Sequence, residues 1–275
     1  MHRERNPNLE ILELAVERLG PLVDHMVFVG GCATGLLLTD LAAPPIRQTR
    51  DVDVIVEVAS LAHYHRLAEK LRQRGFAEDQ NPEAPICRWV AGGIVLDVMP
   101  TDPHIMGFGN EWYRPALATA VPVDLSSGRR IQRVTAPYFL ATKLIAFDGR
   151  GKGDYVASHD MEDIVAVLDG RSEVVDEVVR ADDTVRRFLS ARIQALLGDG
   201  RFMAALPGHL PGDAASTGHA FRGTLAAAVA TVHVPPQNSG RPSTSNPDGS
   251  AAVVSVSHAA RSSSTTPAPR SRVSM

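Results

Sequence analysis

The spacing of hydrophobic residues predicts helices and strands in alternation over the first part of the chain. Apolar side chains recur at helical spacing over residues 8–19, where a Gly-Pro pair ends the pattern. The apolar run 27–29 is typical of a short strand, and Gly30-Gly31 leads from it into a predicted helix over 32–41. A strand, a glycine turn and a helix are therefore expected in that order.

The same pattern continues with a strand over 52–58, which reads Val-Asp-Val-Ile-Val-Glu-Val, and an amphipathic helix over 61–74. Two apolar runs, 86–91 and 94–99, flank Gly92-Gly93, which is typical of a β-hairpin. These segments alone provide enough strands for a sheet.

A further strand pair is predicted within 121–134, and from residue 136 onward the pattern is helical. A sheet-rich first part followed by helices indicates an α/β fold of the mixed α+β kind, in which a mixed sheet is flanked by helices. We divide the chain into three parts, residues 1–135, residues 136–210 and residues 211–275. The predicted helices of the second part cover 136–147, 158–168, 172–180 and 184–197.

Composition separates the last part from the rest. Beyond Pro235 the chain has no aromatic residue, Leu or Ile, so it cannot bury enough apolar surface to offset its ordering entropy. We expect residues 211–275 to form a disordered tail, with a weak helix at 214–230. The formal net charge is −3, the chain has two cysteines, and no apolar run is long enough to span a bilayer. We therefore expect a soluble, cytoplasmic protein with no membrane partner and no disulfide framework.

Three acidic residues in apolar strands are the candidate chemistry. Side chains alternate along a strand, so Asp51 and Asp53 point to the same face, where their charges repel. Asp97 lies in the second strand of the predicted hairpin, where an unpaired carboxylate is costly. If the two strands are neighbours, the three carboxylates form the ligand set of a two-metal site, and oxygen ligands favour Mg²⁺ or Mn²⁺. Asp97 has a structural alternative, which is an ion pair with an arginine.

The glycine turn supplies the complementary feature for a phosphorylated substrate. Glycine permits close approach of the backbone, and the start of the following helix offers free N–H groups and positive charge to phosphate. Gly30 and Gly31, with Cys32, Thr34 and the neighbouring Arg50, are the predicted nucleotide-binding residues.

In their order and strand context, Gly30-Gly31, Asp51-Val52-Asp53 and Asp97 resemble the DNA polymerase β nucleotidyltransferase superfamily over residues 27–100. That resemblance implies a nucleotidyltransferase fold, with residues 1–135 as the catalytic domain and residues 136–210 completing the active site. It implies transfer of a nucleoside monophosphate from an NTP to an acceptor. The superfamily's hydroxyl residue after the glycine pair is replaced by Cys32.

A second resemblance concerns residues 136–168. Lys143 with the following Arg150-Gly151-Lys152, and His159-Asp160-Met161-Glu162-Asp163, are similar to motifs of the abortive-infection nucleotidyltransferase toxins of the AbiEii kind. The resemblance implies catalytic roles for Lys143 and Asp160 and an antitoxin protein as a partner. We expect Lys143 to contact the triphosphate and to contribute little to the core. The alternative for Lys143 is a lysine on the protein surface. The alternative for Asp160 is an acid that is favoured at the start of a helix by the helix dipole.

The acceptor stays open among tRNA, protein and a small molecule. Within enzymes, the alternative is an antibiotic-modifying nucleotidyltransferase. From a different class, the alternative is a catalytically inactive nucleotide-binding or toxin–antitoxin partner protein, which the cysteine after the glycine pair favours.

Overall fold

The computed structural model describes residues 7–40, 42–151 and 153–210, and these belong to one compact unit. Within them, seven strands form one sheet. The strands are β1 Met26–Val29, β2 Asp51–Val56, β3 Ala77–Glu78, β4 Arg88–Ala91, β5 Ile94–Pro100, β6 Val121–Asp124 and β7 Arg130–Arg133. The predicted tail and its helix at 214–230 lie outside the described residues.

The sheet is mixed, with the order β3-β4-β5-β2-β1-β7-β6. Strand β2 is at the centre, antiparallel to β1 and parallel to β5. The parallel pairing requires a crossover, and the chain between β2 and β5 provides it with one helix and the strands β3 and β4. The predicted mixed sheet is confirmed.

Nine α-helices and two 3₁₀ segments accompany the strands in the described residues. Each predicted helix inside those residues is present, with bounds shifted by a few positions. The short helices α4 and α9 and the two-residue strand β3 were not predicted, because so few residues carry no periodicity. The helices are α1 Pro7–Leu19, α2 Gly30–Leu37, α3 Leu61–Gln73, α4 Tyr113–Ala118, α5 Ala136–Arg150, α6 His159–Gly170, α7 Val174–Arg180, α8 Asp183–Gly198 and α9 Gly200–Ala205, and the 3₁₀ segments are Gly20–His25 and Leu206–Gly208.

Helix α2 ends four residues earlier than predicted. At Leu38 the backbone is extended, and the N–H groups of Thr39 and Asp40 each donate to the carbonyl of Gly170 at 3.0 Å. The chain therefore leaves the helix to bond to the end of α6, a tertiary contact that no local pattern indicates.

Two hydrophobic cores cover the two faces of the sheet. Phe28 and Val54 point into a core shared with α1 and α3, whereas Val27 and Ile55 point into a core shared with α5 to α9. By the alternation of strand side chains, Asp51 and Asp53 lie on the same face as Ile55. The helical part of the chain therefore packs over the face that carries these acids. Among the described residues, none of the helices combines the length and the apolar character needed to cross a bilayer.

Candidate functional site

The three acids predicted from the sequence converge. Strands β2 and β5 pair in parallel with Asp53 directly opposite Asp97, and Asp51 lies two residues earlier on the same face. One carboxylate oxygen from each of the three residues lies within 4.8 Å of the others. The condition set in the sequence analysis, that the two strands are neighbours, is met, and the cluster has the donor type and spacing to hold a divalent cation.

The cluster is electrostatically costly without a cation. Asp53 is at its centre, and burial together with the charges of Asp51 and Asp97 raises the pKa of Asp53 to about 7. A pKa this high for an aspartate means that ionising all three acids together is unfavourable. A bound positive charge at the cluster would reverse that preference.

The glycine turn lies directly beside the cluster. Gly30 has a φ of +69°, and a Cβ at this position would overlap Oδ2 of Asp53. A Cβ at Gly31 would lie 3.0 Å from Nη2 of Arg47 and 3.5 Å from Oδ2 of Asp163. Glycine is thus required at residue 30 by close approach to Asp53 and by the left-handed backbone conformation, whereas a Cβ at residue 31 would need only a small shift of the Arg47 side chain. The N-cap residue of α2, Val29, makes no side-chain hydrogen bond to the start of the helix, and Gly31 in its first turn lines the cleft described below.

An arginine that the motif analysis did not select occupies the outer side of the cluster. Arg88 of β4 donates to Asp97 through Nε at 2.8 Å and Nη2 at 2.7 Å, and Nη2 lies 3.4 Å from Oδ2 of Asp51. Asp97 is only 6% exposed, and this bidentate ion pair with Arg88 compensates the negative charge of its carboxylate. Asp97 therefore forms the ion pair with an arginine that was its structural alternative, and it also completes the acidic cluster.

The helical side of the site is a buried charge network. Nζ of Lys143 on α5 donates to Asp163 at 2.7 Å and to Asp160 at 3.1 Å, both on α6. Lys143 is 6% exposed and each aspartate 3%. The alternative of a surface lysine is therefore wrong. The expectation that Lys143 contributes little to the core assumed an accessible side chain, and its contribution to stability is the subject of a prediction below.

Two arginines extend this network toward solvent. Arg150 donates twice to Asp160, at 2.7 Å from Nε and from Nη2, while its side chain stays 72% exposed. Nη2 of Arg47 lies 3.5 Å from Asp163. The loop that carries Arg47 is held by buried Asn8, whose amide donates to the carbonyl of Arg47 at 2.7 Å. In this network Lys143 has two anionic partners, whereas the exposed guanidinium of Arg150 is the cation best able to reach a ligand.

A cleft of about 650 Å³ separates the acidic cluster from the helical side. Its volume falls in the range of about 300–1,000 Å³ that is usual for ligand sites. The start of α6 borders it, and Oγ of Ser158 caps that helix by accepting from the N–H of Met161 at 3.3 Å. Among the residues that the structure describes, its charged lining comprises five acids and four permanent cations, Asp51, Asp53, Asp97, Asp154 and Asp160 with Arg47, Arg88, Lys143 and Arg150.

Three of the predicted nucleotide-binding side chains are not at this cleft. Cys32 is fully buried in the core with α1 and α3, and its thiol donates to the carbonyl of Val29 at 3.7 Å. Thr34 is also fully buried, and Arg50 is exposed outside the cleft lining. For Cys32 and Thr34 the structure corrects the expectation of side-chain contact, because α2 turns these positions into the core. The cleft is lined by Gly31, Lys143 and Asp160, as predicted. Gly30 lies directly against Asp53, which also lines the cleft.

Arg88 and Arg47 are site residues that the sequence analysis did not select, and Asp163 was quoted there only as part of the motif around Asp160. A signal for Arg88 was available, since a two-residue hairpin loop at Gly92-Gly93 aligns Arg88 with Asp97. Asp163 follows Asp160 by three residues and so shares its helix face. For Arg47 the sequence has no local signal, because its position depends on the contact with Asn8.

Comparison with known proteins adds no family to this geometry, since neither the family models nor the curated proteins that were searched match the chain.

Proposed function

We propose that this protein is a metal-dependent nucleotidyltransferase with a nucleotidyltransferase fold, which transfers a nucleoside monophosphate from an NTP to an acceptor. The observation that supports this most is the convergence of Asp51, Asp53 and Asp97 beside the Gly30-Gly31 turn. The order of these elements along the chain also agrees with the superfamily that the motifs resemble.

The residues present fit a divalent cation. Three carboxylates in one cluster offer the hard oxygen ligands that Mg²⁺ and Mn²⁺ prefer. The raised pKa of Asp53 agrees with this, because burial and the charges of Asp51 and Asp97 disfavour its ionised form when no cation is bound. When bound, the metal would supply that charge and offset the negative charge of the phosphates at the reacting centre.

The chain's own groups would bind and orient the two substrates. The N–H groups at the start of α2 would hold phosphate oxygens, which the close approach at Gly31 permits. An acceptor hydroxyl attacks the α-phosphorus, an O–P bond forms, and the bond to the β-phosphate oxygen breaks to release pyrophosphate. The hydroxyl's proton passes to a carboxylate of the cluster. Most of the rate enhancement would come from positioning and charge neutralisation.

On the helical side we assign different roles to the two cations at Asp160. Lys143 would position α6 against α5 and fix the positive side of the cleft, since both its partners are buried aspartates. Arg150 is the better candidate for direct contact with phosphate, because most of its side chain is exposed and it faces the cleft. These assignments keep Lys143 and Asp160 in the active site, as the similarity to the abortive-infection toxins implies. A toxin function with an antitoxin partner is proposed on that similarity alone.

The alternative of an inactive nucleotide-binding protein rested on Cys32, and the burial of this side chain weakens it. Cys32 does not line the cleft, so a cysteine in place of the superfamily's hydroxyl residue removes no phosphate contact. The acceptor is not indicated by the cleft, so tRNA, protein and small-molecule acceptors, including antibiotics, are all candidates for the test below.

The test is incubation with α-labelled NTPs and Mg²⁺ or Mn²⁺ against tRNA, cell extract and a panel of antibiotics. We expect a labelled adduct with the native chain and none with Asp51→Asn, Asp53→Asn or EDTA. Asp124→Asn is a matched control, because Asp124 is an exposed strand aspartate paired with Arg130 and absent from the cleft lining. Undiminished labelling by either cluster variant would contradict the proposal, and tight binding of the metal–NTP complex without pyrophosphate release would favour the inactive class.

A further inference from the structure

Arg88 occupies the place at the acidic cluster where added positive charge is needed. It lies opposite Asp97 in the β4–β5 hairpin, and it bonds both oxygens of that carboxylate while approaching Asp51. Two of the three carboxylates that would hold a metal are thus already paired with one guanidinium. The charge of Asp97 is compensated, and the cost of burying it is reduced.

The neighbouring cations differ in how readily they could move away. Lys143 is 8% exposed at its side chain and bonds two buried aspartates, so its displacement would leave both without that partner. Arg88 is 25% exposed and lines the cleft, so its head group can turn toward solvent while its stem stays on the sheet. Of the two, Arg88 is the one able to exchange partners at low cost.

We propose that Arg88 is the counter-ion of the metal-free cluster, and that a divalent cation must displace it from Asp97 in order to bind. This inference rests on the proposed function, because it assumes that the three carboxylates hold the metal. A guanidinium and a divalent cation at the same carboxylate repel each other and compete for the same oxygens. Arg88 therefore sets the cation concentration at which the site becomes loaded, and it keeps the cluster assembled when cations are scarce.

Binding of Mn²⁺, followed by the loss of the free-ion EPR signal, tests the exchange without any turnover. Arg88→Gln removes the competing charge, so we expect its dissociation constant for Mn²⁺ to fall about ten- to a hundredfold, the factor that corresponds to one charge-assisted hydrogen bond. Arg88→Lys keeps the charge without the two-pronged geometry, and we expect an intermediate value. The native chain, both variants and Asp51→Asn are compared at one ionic strength.

Arg150→Gln is the matched control, because it removes the same charge from the same cleft without touching the cluster carboxylates. Thermal melts with and without Mn²⁺ provide a second measurement. For Arg88→Gln we expect a lower melting temperature without metal and a larger rise on addition of metal than for the native chain. That result also shows that the variant folds.

Unchanged or weaker Mn²⁺ binding in Arg88→Gln would overturn the inference, since Asp97 would then bind metal with Arg88 still in place or depend on Arg88 for its orientation. An equal gain in Arg150→Gln would overturn it as well, because the effect would be general electrostatics of the cleft. Absence of Mn²⁺ binding in the native chain, Arg88→Gln and Asp51→Asn alike would instead contradict the proposed function.

Discussion

Replacing Lys143 by methionine removes a buried charge and keeps much of the side chain's volume. In the native chain Nζ of Lys143 bonds Asp163 at 2.7 Å and Asp160 at 3.1 Å, and all three side chains are at most 8% exposed. The variant leaves two buried carboxylates without their ammonium partner. Because Asp160 keeps Arg150, we expect a cost near the lower end of the about 3–5 kcal/mol typical of a broken buried pair.

A loss of about 3 kcal/mol in the free energy of unfolding corresponds to a fall of about 6–12 °C in melting temperature for a domain of this size. The expected loss is largest near neutral pH. Burial opposes ionisation of Asp160, but hydrogen bonds from Arg150 and the charge of Lys143 lower its pKa overall. Its contribution to stability is therefore present above about pH 4 and is lost as the pH falls through the lowered value.

For Lys143 the sign is the reverse. Burial acts to lower the pKa of Lys143, but the charges of Asp163 and Asp160 raise it overall. Its contribution is complete below about pH 10 and is lost as the pH rises through the raised value. At pH 7 both contributions are present, so this is the pH for the measurement.

Urea unfolding followed by circular dichroism provides the assay, with an unchanged m-value as the condition for comparing the variants. Lys143→Met combined with Asp163→Asn should recover part of the loss, because the second change neutralises one stranded carboxylate. Arg150→Gln is the control for an exposed partner of the same aspartate, with an expected cost of about 1 kcal/mol or less.

A loss below about 1 kcal/mol in Lys143→Met, or no recovery in the double variant, would refute this reasoning. The measurement also affects how kinetics are interpreted. If the variant is destabilised as expected, reduced turnover by itself does not identify Lys143 as a catalytic residue.

Two further predictions concern the glycine turn and the tail. Gly30→Ala should lower the melting temperature more than Gly93→Ala and should abolish Mn²⁺ binding. Both glycines have positive φ, but only a Cβ at residue 30 would overlap Asp53. Thermal melts and Mn²⁺ titrations of the two variants measure the difference. Equal melts with intact metal binding would mean that the turn tolerates a side chain. Deleting residues 213–275 should change the melting temperature by no more than about 2 °C, because a segment of this composition adds little to the core. A drop of many degrees would place the domain boundary further along the chain.

Local rules were sufficient for several parts of the fold and the site. Strand alternation predicted that Asp51 and Asp53 share a face, and the glycine pair at 92–93 predicted the β4–β5 hairpin, where both glycines have positive φ. Helical spacing places Asp160 and Asp163, three residues apart, on one face of α6. Each of these depends only on residues a few positions apart.

Where the sequence analysis was wrong, contacts between distant segments decided the outcome. The extent of α2, the burial of Cys32 and Thr34, and the burial of Lys143 all depend on which element packs against each residue. Helical spacing indicates which side chains share a face, but it does not indicate what covers that face.

The sequence by itself determined that Asp51 and Asp53 share one face of a strand and that Asp160 and Asp163 share one face of a helix, because backbone geometry repeats every two residues in a strand and every 3.6 in a helix. Only the tertiary structure decided that Asp97 faces Asp53 across a parallel pair, and that Arg88, Lys143 and Arg150 surround the cleft. The register of parallel strands and the packing of helices on a sheet depend on many hydrophobic contacts between segments far apart in the chain. A local sequence pattern does not indicate these contacts between distant segments.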